Sequence, residues 1–158
     1  MSLHPIAHTT FVIERELPGS VRHAFRFWSD PVLKERWTGC HAEWTVIEEA
    51  FDFRPGGKEI KRWRTPEGQE LAFQAFYLDV VPDRRIIYAY EMSFGGVRLS
   101  ASLVTVELTA RDELTQMKVT EQAVFLTGDG AIAERIEGTE EGFDRLAALV
   151  AAEASDAA

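Results

Sequence analysis

Hydrophobic and polar positions change their period three times along the chain. Thr9 to Leu17 (TTFVIEREL) alternates with a period of two and reads as a strand, which Pro18-Gly19 ends. Ser20 then supplies a helix N-cap, and Val21, Ala24, Phe25 and Trp28 recur at the spacing of one helical face. Asp30-Pro31 has the form of a fresh N-cap with proline at the first helical position. The second short helix carries Leu33 and Trp37 on one side and ends near Gly39.

From Trp44 the period returns to two. Strands are expected over Trp44–Phe53, Lys58–Thr65, Glu70–Val80, Arg85–Ser93, Val97–Thr109 and Leu114–Leu126. Turn residues separate them: Pro55-Gly56-Gly57, Pro66-Glu67-Gly68, Pro82-Asp83, Gly95-Gly96 and Arg111-Asp112. Connections this short force antiparallel neighbours, so the sheet is a meander. Asp129 to Ala152 restores the helical period, with Ile132, Ile136, Phe143, Leu146, Ala147 and Val150 on one stripe. Gly138 and Gly142 lie inside that helix, each costing about 1 kcal/mol relative to alanine. Close packing or a kink would explain them; so would room left for a ligand. No repeat or linker divides the chain, which reads as one domain with its core over residues 9–152.

This order implies an α+β architecture: a curved antiparallel sheet of six or seven strands around a long C-terminal helix, with two short helices after the first strand. Several blocks carry a more specific resemblance. They are Phe27-Trp28-Ser29-Asp30-Pro31 with Trp37, FDFRPGG at 51–57, YLDVVPDRRIIYAYE at 77–91, TVELT at 105–109, TEQAVF at 120–125 and EGTEEGFDRLAAL at 137–149. With them the chain resembles the START-like (SRPBCC) superfamily and its helix-grip fold, in the branch named for the activator of the heat-shock protein 90 ATPase (Aha-like). The resemblance spans nearly the whole chain in the family's order. It implies a cavity between the concave face of the sheet and the last helix. The eukaryotic co-chaperones that name the family carry a separate N-terminal domain for which this chain is too short. The polyketide cyclases of the wider superfamily share the fold, but no catalytic pattern of theirs is found here.

Composition narrows the partners. Lys and Arg number 17 against 26 Asp and Glu, a net charge of −9 that repels a phosphate backbone and disfavours nucleic acid. The single cysteine, Cys40, excludes an internal disulfide framework and suits a reducing cytoplasm. MSLHPIAHTTFVIE lacks the basic and apolar regions of a signal peptide, and no apolar run approaches the roughly 20 residues of a membrane span. A cytoplasmic protein is expected.

The candidate site follows from the fold. Trp37, Phe73, Tyr77, Tyr88, Tyr90, Met117, Ile136 and Phe143 are expected to wall the cavity, unless they are ordinary core, with Glu121 or Arg62 orienting a polar group. Alternation groups Glu121 with Met117, Val119 and Ala123, which points a carboxylate inward. It is then a polar anchor, a general acid/base raised by desolvation, or a buried acid paired with Arg62 or Arg64. Phe73, Ala75 and Tyr77 share one face of their strand, and Phe76, Leu78 and Val80 the other, where a homodimer contact is expected. Cys40-His41 are adjacent and so diverge in direction, a poor nucleophile–base pair. His4 and His8 have helical metal spacing on an extended arm, and no nucleotide, hydrolase or zinc motif appears, so no metal or cofactor is expected.

The leading expectation is binding of a small hydrophobic, aromatic or lipid-like molecule, in a stress-related setting. A cyclase-, aromatase- or hydrolase-type enzyme using the same cavity is the alternative. A co-chaperone-type interaction domain with a chaperone partner is the third class.

Overall fold

Two capping side chains fix the opening of the fold. In a computed structural model, which describes residues 5–39 and 41–154, strand β1 (Ala7–Pro18) leads into helix α1 (Val21–Ser29) and helix α2 (Pro31–Thr38). Ser20 Oγ accepts the backbone N–H of His23 at 3.1 Å, closing the first turn of α1. Asp30 does two jobs. Its own N–H donates to the Arg26 carbonyl and ends α1, while its carboxylate accepts from the N–H groups of Val32 and Leu33 at 2.9 and 3.2 Å and starts α2. Six strands follow: β2 (Thr45–Phe51), β3 (Lys58–Arg64), β4 (Glu70–Val81), β5 (Arg85–Phe94), β6 (Val97–Arg111) and β7 (Leu114–Phe125). A single 3₁₀ turn (Asp129–Ala131) then enters helix α3 (Ile132–Ala154).

All neighbours are antiparallel, in the order β1-β7-β6-β5-β4-β3-β2. Strands β2 to β7 form the expected meander. β1 joins beyond β7, so α1 and α2 carry the chain from one edge of the sheet to the other. Register shifts at Val46/Glu48, Tyr77/Asp79 and Met92/Ser93 bend the strands. The second corrects the simple alternation along β4. Leu78 is the extra residue there, so Phe76 and Leu78 stay on the outer face, 39% and 57% exposed, while Val80 turns inward against the core.

α3 packs on β1 and on both short helices, and buries Phe143, Leu146 and Val150. Trp28 and Trp37 meet at a ring separation of 4.8 Å, and Trp37 donates its indole N–H to the Phe27 carbonyl at 2.8 Å. These contacts place the core on the β1 side of the sheet's inner face.

Pro55-Gly56-Gly57 forms the turn between β2 and β3, and it is docked as well as tight. The Gly56 N–H donates to the Tyr77 carbonyl at 2.8 Å, and the Tyr77 N–H to the Gly57 carbonyl at 2.9 Å. Gly56 has φ +85° with open space around it, whereas a Cβ on Gly57 would stand 2.0 Å from the Asp52 carbonyl oxygen. The two glycines therefore fail differently. Gly56→Ala is expected to cost about 1 kcal/mol of left-handed strain, and Gly57→Ala about 3 kcal/mol because backbone must move. Urea unfolding of the two variants measures the difference, and equal losses would contradict it.

Candidate functional site

Because α3 leans on β1 and the short helices, the inner face of β3, β4 and β5 is left without a helix against it. A cavity of about 470 Å³ occupies that space, within the range of small-molecule sites. Cross-strand register builds its floor. Tyr77, Tyr88, Val104 and Glu121 are successive neighbours from β4 to β7, and Ala75, Tyr90, Ser102 and Ala123 form the next inward row. Phe73 lies 5.0 Å from the Tyr90 ring, and Tyr88 lies 6.1 Å from it. Trp37 and Phe143, 6.0 Å apart, close the helix side.

Two polar clusters interrupt this aromatic lining. In the first, Glu121 is only 3% exposed. Its Oε2 accepts from the Tyr90 hydroxyl at 2.6 Å and the Ser102 hydroxyl at 2.8 Å. Arg135, on α3, donates to the Tyr90 oxygen at 3.1 Å and stands 4.0 Å from the Glu121 carboxylate. The partner of the inward acid is thus an arginine of the helix, in place of Arg62 or Arg64. In the second cluster, Lys34 of α2 donates to Glu59 at 2.6 Å and to the Tyr77 hydroxyl at 2.9 Å, and Tyr77 donates to the same Glu59 oxygen at 2.5 Å. Burial lowers the Lys34 amine below its ordinary value, against the opposing pull of Glu59. Beside it Lys61 is paired with Glu35 and Glu49.

Tyr88 lies between the clusters, and its hydroxyl has no hydrogen-bond partner among the described residues. Burial, reinforced by Tyr90 and Glu121, pushes this phenol well above the ordinary 10.0. Tyr77 and Tyr90 are raised for the same leading reason.

Six of the residues expected at the site line the cavity: Trp37, Phe73, Tyr88, Tyr90, Glu121 and Phe143. Tyr77 sits behind the wall, 1% exposed, with its hydroxyl in the Lys34–Glu59 cluster. Met117 is fully buried in the core, next inward residue to the lining Val119 on β7. Ile136 is half-buried and outside the lining, because the cavity faces Arg135, Gly138, Thr139 and Gly142, a different flank of α3. Arg62 points to the outer face of the sheet, where it pairs with Glu48 at 2.8 Å and Glu70 at 2.6 Å. Its even position on β3 sets that direction; the odd positions Glu59, Lys61 and Trp63 face inward. Lys34, Glu59, Lys61, Arg135 and Arg145 are polar site residues that sequence reasoning missed. The alternation of β3 was a usable signal for two of them.

The helical glycines also find their place. A Cβ on Gly138 would meet nothing within 4 Å, and one on Gly142 only the Arg145 Nη2 at 3.7 Å. Close packing requires neither, and both border the cavity. Among the described residues no group of three or more His, Cys, Asp or Glu is arranged to hold a metal. Cys40 and His4 lie outside the described residues; His41 packs on Trp44, with ring centroids 4.8 Å apart.

A curved seven-stranded sheet, a long C-terminal helix and a cavity between them constitute the helix-grip arrangement. The family model described as activator of Hsp90 ATPase homolog 1-like protein matches residues 19–151. The chain belongs to this family. Among solved structures it is similar to an uncharacterized protein from Rhizobium leguminosarum, with 44% identity, 94% of this chain and 98% of that one covered, and a TM-score of 0.87. A Rhizobium loti protein is 39% identical over 92% of this chain and 99% of its own, with a TM-score of 0.85. A Chromobacterium violaceum protein, at 23% identity over 89% and 96% and a TM-score of 0.71, shares the fold. No curated protein matches the chain. No helix among the described residues is long and apolar enough to cross a membrane.

Two predictions test the polar lining. Tyr77, Tyr88 and Tyr90 titrate near 10 in an unfolded chain and higher in the fold, so the stability they lend below pH 10 is lost as the pH rises past it. Tyr88→Phe removes one such group without removing a hydrogen bond. Its stability at neutral pH should stay within about 0.5 kcal/mol of wild type, and its alkaline unfolding midpoint, followed by circular dichroism, should move to higher pH. Glu59→Gln leaves the Lys34 ammonium buried without its counter-charge and should cost about 3 kcal/mol in urea unfolding.

Proposed function

We propose that this protein binds a small, predominantly apolar molecule in the cavity between the sheet and α3. One observation carries the reading: α3 borders the cavity with glycine at both Gly138 and Gly142, where a Cβ would meet nothing within 4 Å at the first and only the end of Arg145, at 3.7 Å, at the second. Aromatic walls with a few placed polar groups are the usual composition of such sites. A co-chaperone-type interaction domain predicts an exposed apolar or charged face and no usable pocket, and a cavity of about 470 Å³ argues against the second of these. Binding is favoured over turnover because the two carboxylates set within the aromatic lining are already engaged, Glu59 by Lys34 and Tyr77 and Glu121 by Tyr90 and Ser102, while the third, Glu134, is exposed on α3.

Native mass spectrometry of protein purified from its own host would reveal a co-purified ligand directly. The decisive comparison is between Gly138→Ala and Gly138→Leu. Both should raise stability, by up to about 1 kcal/mol, because a helix glycine is replaced where nothing crowds it. Only leucine extends far enough to take up ligand space along this wall of the cavity, so it should weaken ligand binding at least tenfold while alanine weakens it little. Unchanged ligand affinity in Gly138→Leu would show that the molecule binds elsewhere.

A further inference from the structure

The cavity wall is unevenly charged. Four cations border it, Lys34, Lys61, Arg135 and Arg145, against three carboxylates, Glu59, Glu121 and Glu134. In a chain of net charge −9 the wall itself carries one more cation than carboxylate. Three of the cations are already engaged: Lys34 with Glu59, Lys61 with Glu35 and Glu49, and Arg135 with Glu121 and the Tyr90 hydroxyl. Of the four, Arg145 alone has no carboxylate within ion-pair distance among the described residues.

Arg145 is nevertheless held in place. Its Nε donates to the Trp37 carbonyl in the last turn of α2 at 3.3 Å, and its Nη2 lies 3.7 Å from where a Cβ would stand on Gly142. The guanidinium thus spans from α3 to α2 at an exposed part of the wall, beside a residue without a side chain, with N–H groups to spare. The acidic parts of the wall on this helix are distant. Glu134 is eleven residues away, about 16 Å along the axis, and Arg135 with its Glu121 partner about 15 Å. Nearer the short helices, Glu59 is occupied by Lys34 and Tyr77. Glu141, one helical turn before Arg145, is exposed and makes no ion pair among the described residues. An anion at Arg145 therefore gains a planar, forked donor in competition with that one solvated carboxylate.

We infer that the ligand is an organic acid, its carboxylate held by Arg145 at the mouth of the cavity and its apolar, ring-bearing body lying against Trp37, Phe143 and Tyr88. The unpartnered Tyr88 hydroxyl offers that body one hydrogen bond. This deepens the ligand-binding reading above and rests on it.

The test compares a naphthoic acid with its methyl ester at neutral pH, read by quenching of the cavity tryptophans Trp28, Trp37 and Trp63. The acid should bind about tenfold tighter than the ester, and its advantage should shrink as salt is added. Arg145→Gln should abolish the advantage while leaving ester affinity and the circular dichroism spectrum unchanged; Arg145→Lys, which keeps the charge and loses the fork, should retain part of it. Equal binding of acid and ester overturns the inference and leaves the ligand-binding reading standing. A preference that survives Arg145→Gln, or that vanishes instead in Arg135→Gln, overturns the assignment of the anchor. Binding of neither probe counts against the ligand reading itself and takes this inference with it.

Discussion

The position of α2 depends on two crossed ion pairs. Lys34 of the helix reaches Glu59 of β3, and Glu35 of the helix is reached by Lys61 of the same strand. The signs alternate on both partners, at successive positions on the helix and at alternate positions on the strand, so one register satisfies both pairs and a shifted one sets like charges together. The backbone of α2 packs chiefly on α1 and α3 and stands off from the strands. Long charged side chains bridge the gap. Apolar residues at these positions would gain by letting the helix sink onto the sheet, and buried ion pairs commonly give no more stability than such packing. What the pairs supply is a distance. With α2 held away from β3, and α3 leaning towards β1, the inner face of β3 to β5 keeps its space.

Polar groups inside that space are organised to cancel their own burial. Glu121 would be costly alone in an aromatic cavity, yet two hydroxyl donors and the Arg135 guanidinium face it within 4.0 Å. The same holds for Lys34, whose ammonium meets both Glu59 and the oxygen of Tyr77. Each cluster also joins two layers of the fold, α3 to β5 and β7 in one case and α2 to β3 and β4 in the other. Tyr88 and Arg145 stand outside this mutual satisfaction. With the Trp28 indole N–H, which is buried on the same wall without a partner, they keep hydrogen-bonding capacity unused among the described residues.

Local signals carried most of the fold. Ser20 and Asp30 announced their caps, paired turn residues separated the strands, and the period of two along β7 placed Glu121 inward. Other features were hidden for identifiable reasons. A period of two cannot show an extra residue, so the bulge at Leu78 and the inward turn of Val80 were invisible until β4 was paired with β5. The attachment of β1 beyond β7 is a long-range choice that short connections leave open. Arg62 and Lys61 look equivalent in composition and differ only by strand parity, which sends one to solvent and the other to the cavity. On α3 the glycines Gly138 and Gly142 hinted at the cavity-facing flank, but Arg135 and Thr139 beside them gave no apolar signal, whereas Ile136 did and lies outside the lining. The apolar stripe is needed by the core; the flank left for the cavity is glycine, threonine and arginine.

This division of α3 bears on why the chain carries two glycines in a helix of 23 residues. Together they forgo about 2 kcal/mol of helix propensity relative to alanine, a sizeable part of the 5–15 kcal/mol that typically holds a domain folded. In a helix that only had to pack, alanine would fit at Gly138 with nothing within 4 Å of its methyl group, and at Gly142 with only the far end of Arg145 nearby. No close backbone approach at either position compensates for the loss. A half-buried phenol without a partner and an arginine without a counter-ion among the described residues, and two glycines that no side chain crowds, all border the same cavity. Each is a small local sacrifice of stability, and their coincidence in one place is better explained by what the cavity receives than by what the fold requires.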